Sequence, residues 1–134
     1  MKTKQIKLQS THKVQFINID HEIHQAVRAS GVVDGICVIF VPHTTAGVTI
    51  NENADPDVVR DMVMELNKIV PFSDGYHHSE GNSAAHIKSS IISCSLSLII
   101  EGGQPLFGTW QSVYFCEFDG PRTRSLLIKI VADE

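Results

Sequence analysis

Seven histidines are many for a chain of 134 residues. His43, His78 and His86 stand out, each at the end of an expected element or in a long polar loop, among small or hydrogen-bonding residues. Three neutral imidazoles with a fourth position open form the ligand set of a catalytic zinc or similar divalent ion. The loop between His78 and His86 can fold back so that both rings converge, and His43 can join them from a neighbouring strand end. No short fixed spacing such as HExxH is present, so spacing alone favours solvated loop histidines over a metal site. His12, His21 and His24 belong to a polar turn and an amphipathic segment and read as surface residues.

Other groups near these histidines admit functional and purely structural readings. Glu52, Asp74 and Glu80 are the nearby carboxylates. Glu52, between two asparagines, is a general base, a metal ligand, a partner that orients an imidazole, or a solvated loop end. Thr44, Thr45, Ala46 and Gly47 offer small side chains and reachable amides, suited to an oxyanion or to a plain strand bend. Gly81, Asn82 and Ser83 precede an expected helix start, which favours anions, with Lys88 available as a point charge. Arg122 and Arg124 share a strand face by alternation and either bind an anion together or are solvated. Trp110 reads as a core residue, and Gln111 as a side chain that needs a partner if buried.

These residues must be positioned by elements legible in the pattern. Residues 3–9 and 13–19 alternate polar and apolar, as strands do. Asp20 can cap a short helix that ends at Gly31. Residues 35–42 form a nearly continuous apolar run, which suits a strand covered on both faces or lying at a subunit contact. Residues 46–51 continue as a second strand. The clearest helix spans 56–70, with Asp55 as cap, Pro56 in the first turn and Pro71 as the stop. Residues 71–83 are polar and aperiodic, a loop long enough to be functional. A short helix or turn, AAHIKSSIIS, and three further strands complete the chain. The sum is an α+β domain spanning 1–134: an antiparallel, curved or folded sheet of about seven strands, with two or three helices on one side.

Composition excludes several classes. Net charge is −4 and the basic residues form no stripe, which argues against a general nucleic-acid binder. No apolar run approaches a membrane span, and the first residues lack the apolar core of a secretory leader. Three cysteines, Cys37, Cys94 and Cys116, sit in apolar runs without a CxxC, so reduced, buried thiols in the cytoplasm are expected.

The stretches HTTAGVTINENADPDVVRDM (43–62), HSEGNSAAHIKSS (78–90) and GTWQSVYFCEFDGPR (108–122) occur in this order. With them, nearly the whole chain resembles the YjbQ family (UPF0047), labelled secondary thiamine-phosphate synthase. The resemblance implies an antiparallel α+β fold, a homotrimer and a histidine pocket suited to a metal, zinc before magnesium. It implies His43, His78 and His86 as the ligands; His77 fills a place that the family does not hold to histidine. Glu52 and Asn53 stand in the family's NEN and Gln111 in its GTWQ. Glu52 and Gln111 are thus the expected catalytic residues, with Thr44, Thr45, Asn53, Lys88, Arg122 and Arg124 toward the substrate or its anionic groups. The implied reaction joins hydroxymethylpyrimidine pyrophosphate to thiazole phosphate with loss of pyrophosphate. The alternative is a homotrimeric binder of small ligands or anions without catalysis. The loop 79–85 is short beside many family members, which bears on access to the pocket.

Overall fold

The computed structural model describes residues 2–134. In chain order the elements are β1 (Lys4–Gln9), β2 (Gln15–Asn18), α1 (Asp20–Ser30), β3 (Gly35–Phe40), β4 (Ala46–Glu52), α2 (Pro56–Ile69), α3 (Ser83–Ile92), β5 (Ser95–Glu101), β6 (Gln104–Pro105), β7 (Gln111–Glu117) and β8 (Thr123–Ala132). Local chemistry sets the helix ends. Asp55 accepts the Asp57 amide at 2.9 Å and Pro56 opens α2. Gly31 takes the left-handed conformation that closes α1. Asp20 is not the cap of α1 but its first residue. Its carboxylate reaches β7, accepting from Ser112 Oγ at 2.7 Å and from the Val113 amide at 2.8 Å.

The expected antiparallel α+β domain is present, and its folded sheet resolves into two. Five strands run in the order β1-β8-β3-β5-β6 and three in the order β2-β7-β4, with every pairing antiparallel. Two-residue β6 accounts for the strand beyond the expected seven. Of the connections that carry the chain between the sheets, three are short segments that directly join strands at one end: 10–14, 41–45 and 118–122. There the register sets Ala46 beside Glu117 and the Phe118 amide donates to Thr45 O at 3.2 Å.

Two cores hold the layers. The first lies between the sheets and contains Ile23 and Val27 of α1, Cys37 and Ile39 of β3, Val48, Phe115, Leu126 and Ile128. The second packs Tyr114, Cys116 and Phe118 against Leu66 of α2 and Ala85 of α3. Strand β7 is therefore buried on both faces, and the helices divide between the two cores. Strand β3, expected to be covered on both faces or to lie at a subunit contact, is covered on one face within the chain. Its burial alternates, with Cys37 and Ile39 inward and Ile36, Val38 and Phe40 outward. Ile36 stands in register with Ile99 (61 % exposed) and Val131 (53 % exposed), so this sheet face is an open apolar strip.

Candidate functional site

The end where the sheets exchange strands is tied by a buried ion pair. Arg124, at the start of β8, and Glu117, at the end of β7, are almost fully buried, and their side chains bond through several atoms. Arg124 also donates to Thr45 Oγ1 at 2.8 Å and to Thr45 O at 3.1 Å. Ser10 Oγ donates to Glu117 Oε1 at 2.7 Å. The corners 10–14, 41–45 and 118–122 thus meet on one carboxylate–guanidinium pair. Burial alone would raise the pKa of Glu117, but bonds from Arg124, Ser10 and the Asp119 amide outweigh it and hold the carboxyl below its usual range.

His43 sits at the same corner, half-buried. The Ser125 amide donates to its Nε2 at 3.0 Å. Burial, and then the Arg124 guanidinium, hold the ring below the usual histidine range. The corner is fixed from behind, because the Val41 amide donates to Cys94 O at 2.7 Å and the Val48 amide to Ser93 O at 3.0 Å. Ser93 has φ of 98°, a left-handed conformation that is costly for any residue with a Cβ. Gly47 lies so close that a Cβ on it would stand 2.6 Å from Ser93 O.

Helix α3 supplies the other wall. Its N-cap, Asn82, donates to Asp119 Oδ2 at 2.9 Å. His86, one turn in, faces two cavities. One, of about 510 Å³, is lined by His43, Thr44, His86, Ser89, Ser90, Ser93 and Cys94. The other, of about 450 Å³, is lined by residues including Tyr76, His77, His78, Ser83 and His86. The rings of His78 and His86 lie edge to face with centroids 5.5 Å apart. Glu80 Oε2 is 3.9 Å from His78 Nε2.

Several expected site residues lie elsewhere. Lys88 is fully buried on the far side of α3. Its Nζ donates to Asn67 Oδ1 at 2.6 Å and stands 3.7 Å from the centre of the Phe72 ring. Burial, helped by Lys13, pushes its pKa down to about 8. It offers no charge to either cavity. Arg124 and Thr45 are committed to the buried pair, and Arg122 lies before β8, in a turn, bonded to Asp119. The two arginines do not share a strand face. Glu52 pairs with Gln111 at the opposite end of β4 from Ala46. Six steps of extended strand put that end roughly 20 Å from the His43 corner. There Gln111 Oε1 accepts the Gly108 amide at 2.7 Å, and the Tyr114 hydroxyl donates to Glu52 O at 3.1 Å and Asn53 Oδ1 at 3.3 Å. Trp110, expected in the core, is 62 % exposed beside them. Within one chain, Glu52, Asn53 and Gln111 do not face the histidines.

A family model described as UPF0047 protein YjbQ-like matches residues 4–133. The chain belongs to the YjbQ-like UPF0047 family. UPF0047 protein MJ1081 of Methanocaldococcus jannaschii is 48 % identical over 128 residues, covering 96 % of this chain and 93 % of the relative. UPF0047 protein YugU of Bacillus subtilis is 47 % identical over 132 residues, covering 98 % of each. The crystal structure of an uncharacterised YjbQ/UPF0047 protein from Clostridium acetobutylicum superposes with a TM-score of 0.94 at 52 % identity, covering 96 % of this chain and 99 % of that one. A YbjQ-like protein of unknown function from Sulfolobus solfataricus gives the same TM-score at 26 % identity, covering 98 % and 97 %.

The metal expected from the sequence can be weighed against the donors present. Among the described residues, no three His, Cys, Asp or Glu side chains converge as a ligand group. The His43 Nε2 lone pair already accepts the Ser125 amide. His78 and His86 remain as a neighbouring pair of imidazoles.

Some features of this YjbQ-like site were missed in the sequence. Cys94, expected to be buried, is exposed on the His43–His86 cavity, while Cys37 and Cys116 are buried. Ser89, Ser90 and Ser93 follow His86 at helical spacing, a signal that was available. The partnership of Glu117 and Arg124 was also foreseeable, because a carboxylate within a fully buried apolar run needs a cation or donors.

Proposed function

We propose that the two cavities flanking His86 bind a small phosphorylated substrate and that the protein is an enzyme acting on it. The observation that carries this reading is the position of His86, a wall shared by a cavity holding His43 and a cavity holding His77 and His78. Helix α3 supports it. Its first turn contains no acidic residue, and Ser83 and His86 of that turn line the second cavity, while the N-cap Asn82 is bonded to the Asp119 carboxylate. His78 and His86 would hold a divalent ion, zinc before magnesium. When bound, such an ion supplies charge stabilisation to a departing phosphate or pyrophosphate. His86 and Thr44 orient phosphate oxygens.

The specific reaction that fits the proposal is thiamine-phosphate formation, from hydroxymethylpyrimidine pyrophosphate and thiazole phosphate. That reaction carries one condition. Glu52 and Gln111 act only if a neighbouring copy brings them to the cavity, because their own chain holds them roughly 20 Å away. The open strip of Ile36, Val38, Phe40, Ile99 and Val131 is the surface we assign to association into a homotrimer. No helix among the described residues is long and apolar enough to cross a membrane, and the exposed thiol of Cys94 suits a reducing cytoplasm.

The same remoteness of Glu52 favours a second reading, a trimeric anion binder with no chemistry. One assay separates the two. Purified protein is supplied with zinc and the two thiamine precursors, and product is followed by mass spectrometry beside a His86→Ala variant. Product formed by the natural protein and lost in the variant supports the enzyme. Binding without product supports the binder.

A further inference from the structure

We infer that His43 is the fixed N–H donor of its cavity and not a metal ligand, so that its Nδ1–H bonds an oxygen of an anionic ligand. The ligand class rests on the phosphate reading above; the assignment of the proton does not.

The geometry leaves one tautomer. Nε2 accepts the Ser125 amide at 3.0 Å, so its lone pair is occupied and the ring proton belongs on Nδ1. A metal on Nδ1 would drive that proton to Nε2, where it would face the Ser125 N–H, donor against donor. The alternative, removing both ring protons, is far from neutral-pH chemistry. Ser125 cannot easily retreat. It follows Arg124, which is held by Glu117 and Thr45, and it lies on β8 in register with Lys7 of β1.

The serine wall of the cavity offers no free donor. Ser89 Oγ donates to Ala46 O at 2.6 Å, Ser90 Oγ to His86 O at 3.1 Å and Ser93 Oγ to Ser95 O at 3.2 Å. Three hydroxyl protons on this wall are therefore committed to carbonyls. Of the two ring nitrogens of His43, Nδ1 is the uncommitted one, on a ring that lines the cavity. A neutral donor whose ring is locked by the backbone is preorganised, so it loses little freedom when it binds an oxyanion.

Nitrogen-15 correlation spectra of the histidine rings test the proton directly at neutral pH, first without metal and then with zinc added. The expected result is the Nδ1–H form for His43, unchanged by zinc. An Nε2–H form, or a zinc-induced shift of Nδ1 to the metal-bound range, overturns the inference whether or not phosphate binds. The His43→Gln variant tests the donor. Its amide oxygen reaches toward the Ser125 amide but places no donor at the Nδ1 position. Titration with inorganic phosphate is expected to show affinity weakened about tenfold or more, as for one hydrogen bond to a charged group, with zinc stoichiometry unchanged. Undiminished phosphate affinity in a folded His43→Gln, or loss of zinc, overturns the inference. If the unaltered protein binds no phosphate, the phosphate reading fails and the tautomer result stands by itself.

Discussion

The Ser125 amide bonds Nε2 of His43 across 82 positions of sequence, at 3.0 Å. This bond turns a histidine at a strand corner into a group with one defined proton, and it couples the ring to the buried Arg124–Glu117 pair one residue away. Burial and Arg124 together lower the pKa of His43.

That lowering has a sign. An unfolded chain takes up a proton near the usual histidine value while the folded ring stays neutral. Stability is then fully present above the unfolded pKa and falls as pH drops through that value toward the folded one. Chemical denaturation between pH 7 and pH 5 is expected to show this loss, and His43→Gln to flatten the slope by the His43 share. An identical slope in the variant would mean that another group carries the effect.

Glu117→Gln should be among the most damaging single changes. It leaves the Arg124 guanidinium buried at the point where three crossovers meet. Removing one partner of a buried ion pair typically costs roughly 3–5 kcal/mol. Urea unfolding followed by circular dichroism measures it, and a loss below about 1 kcal/mol would show that the pair contributes little.

Thiol labelling should discriminate sharply. Iodoacetamide is expected to alkylate Cys94 in the folded protein and spare Cys37 and Cys116. Burial pushes the Cys37 thiol up to about 11 and raises Cys116 further. Because Cys94 lines the His43–His86 cavity, the adduct should also abolish phosphate binding. Intact peptide mapping gives the sites, and unimpaired binding by the Cys94 adduct would remove this cavity from the account.

Ile36→Lys tests the assembly. Ile36 sits between Ile99 and Val131 on the open sheet face. The charge should convert a trimer to monomers in light scattering while leaving the monomer folded, because the side chain contributes to neither core. An unchanged trimer would place the interface elsewhere.

The sequence made some of this plain and hid the rest for physical reasons. Helix α2 was legible because its signals, Asp55, Pro56 and Pro71, act within a turn of where they stand. Lys88 was misplaced because residues two apart on a helix point to different sides, so a cation near His86 in sequence faces the core. Glu52 was misplaced for the opposite reason. Nine positions from His43 look close on paper, yet most of them are extended strand, which separates the two by its full length. Arg122 and Arg124 were read as one face, but the strand begins at Thr123 and only Arg124 follows its alternation. The bond from Ser125 to His43 carries no sequence signal, since a backbone amide is the same at every such position. The outward half of β3 was read as buried because a run of apolar residues cannot say whether its second face meets the same chain or another.

The most direct test is an anomalous difference map from crystals grown with zinc and phosphate. The account predicts zinc at His78 and His86, phosphate in the cavity shared by His86 and His43, and no metal bonded to His43. A zinc ion on His43, or both ligands bound at the Glu52–Gln111 end with the His86 cavities empty, would contradict it.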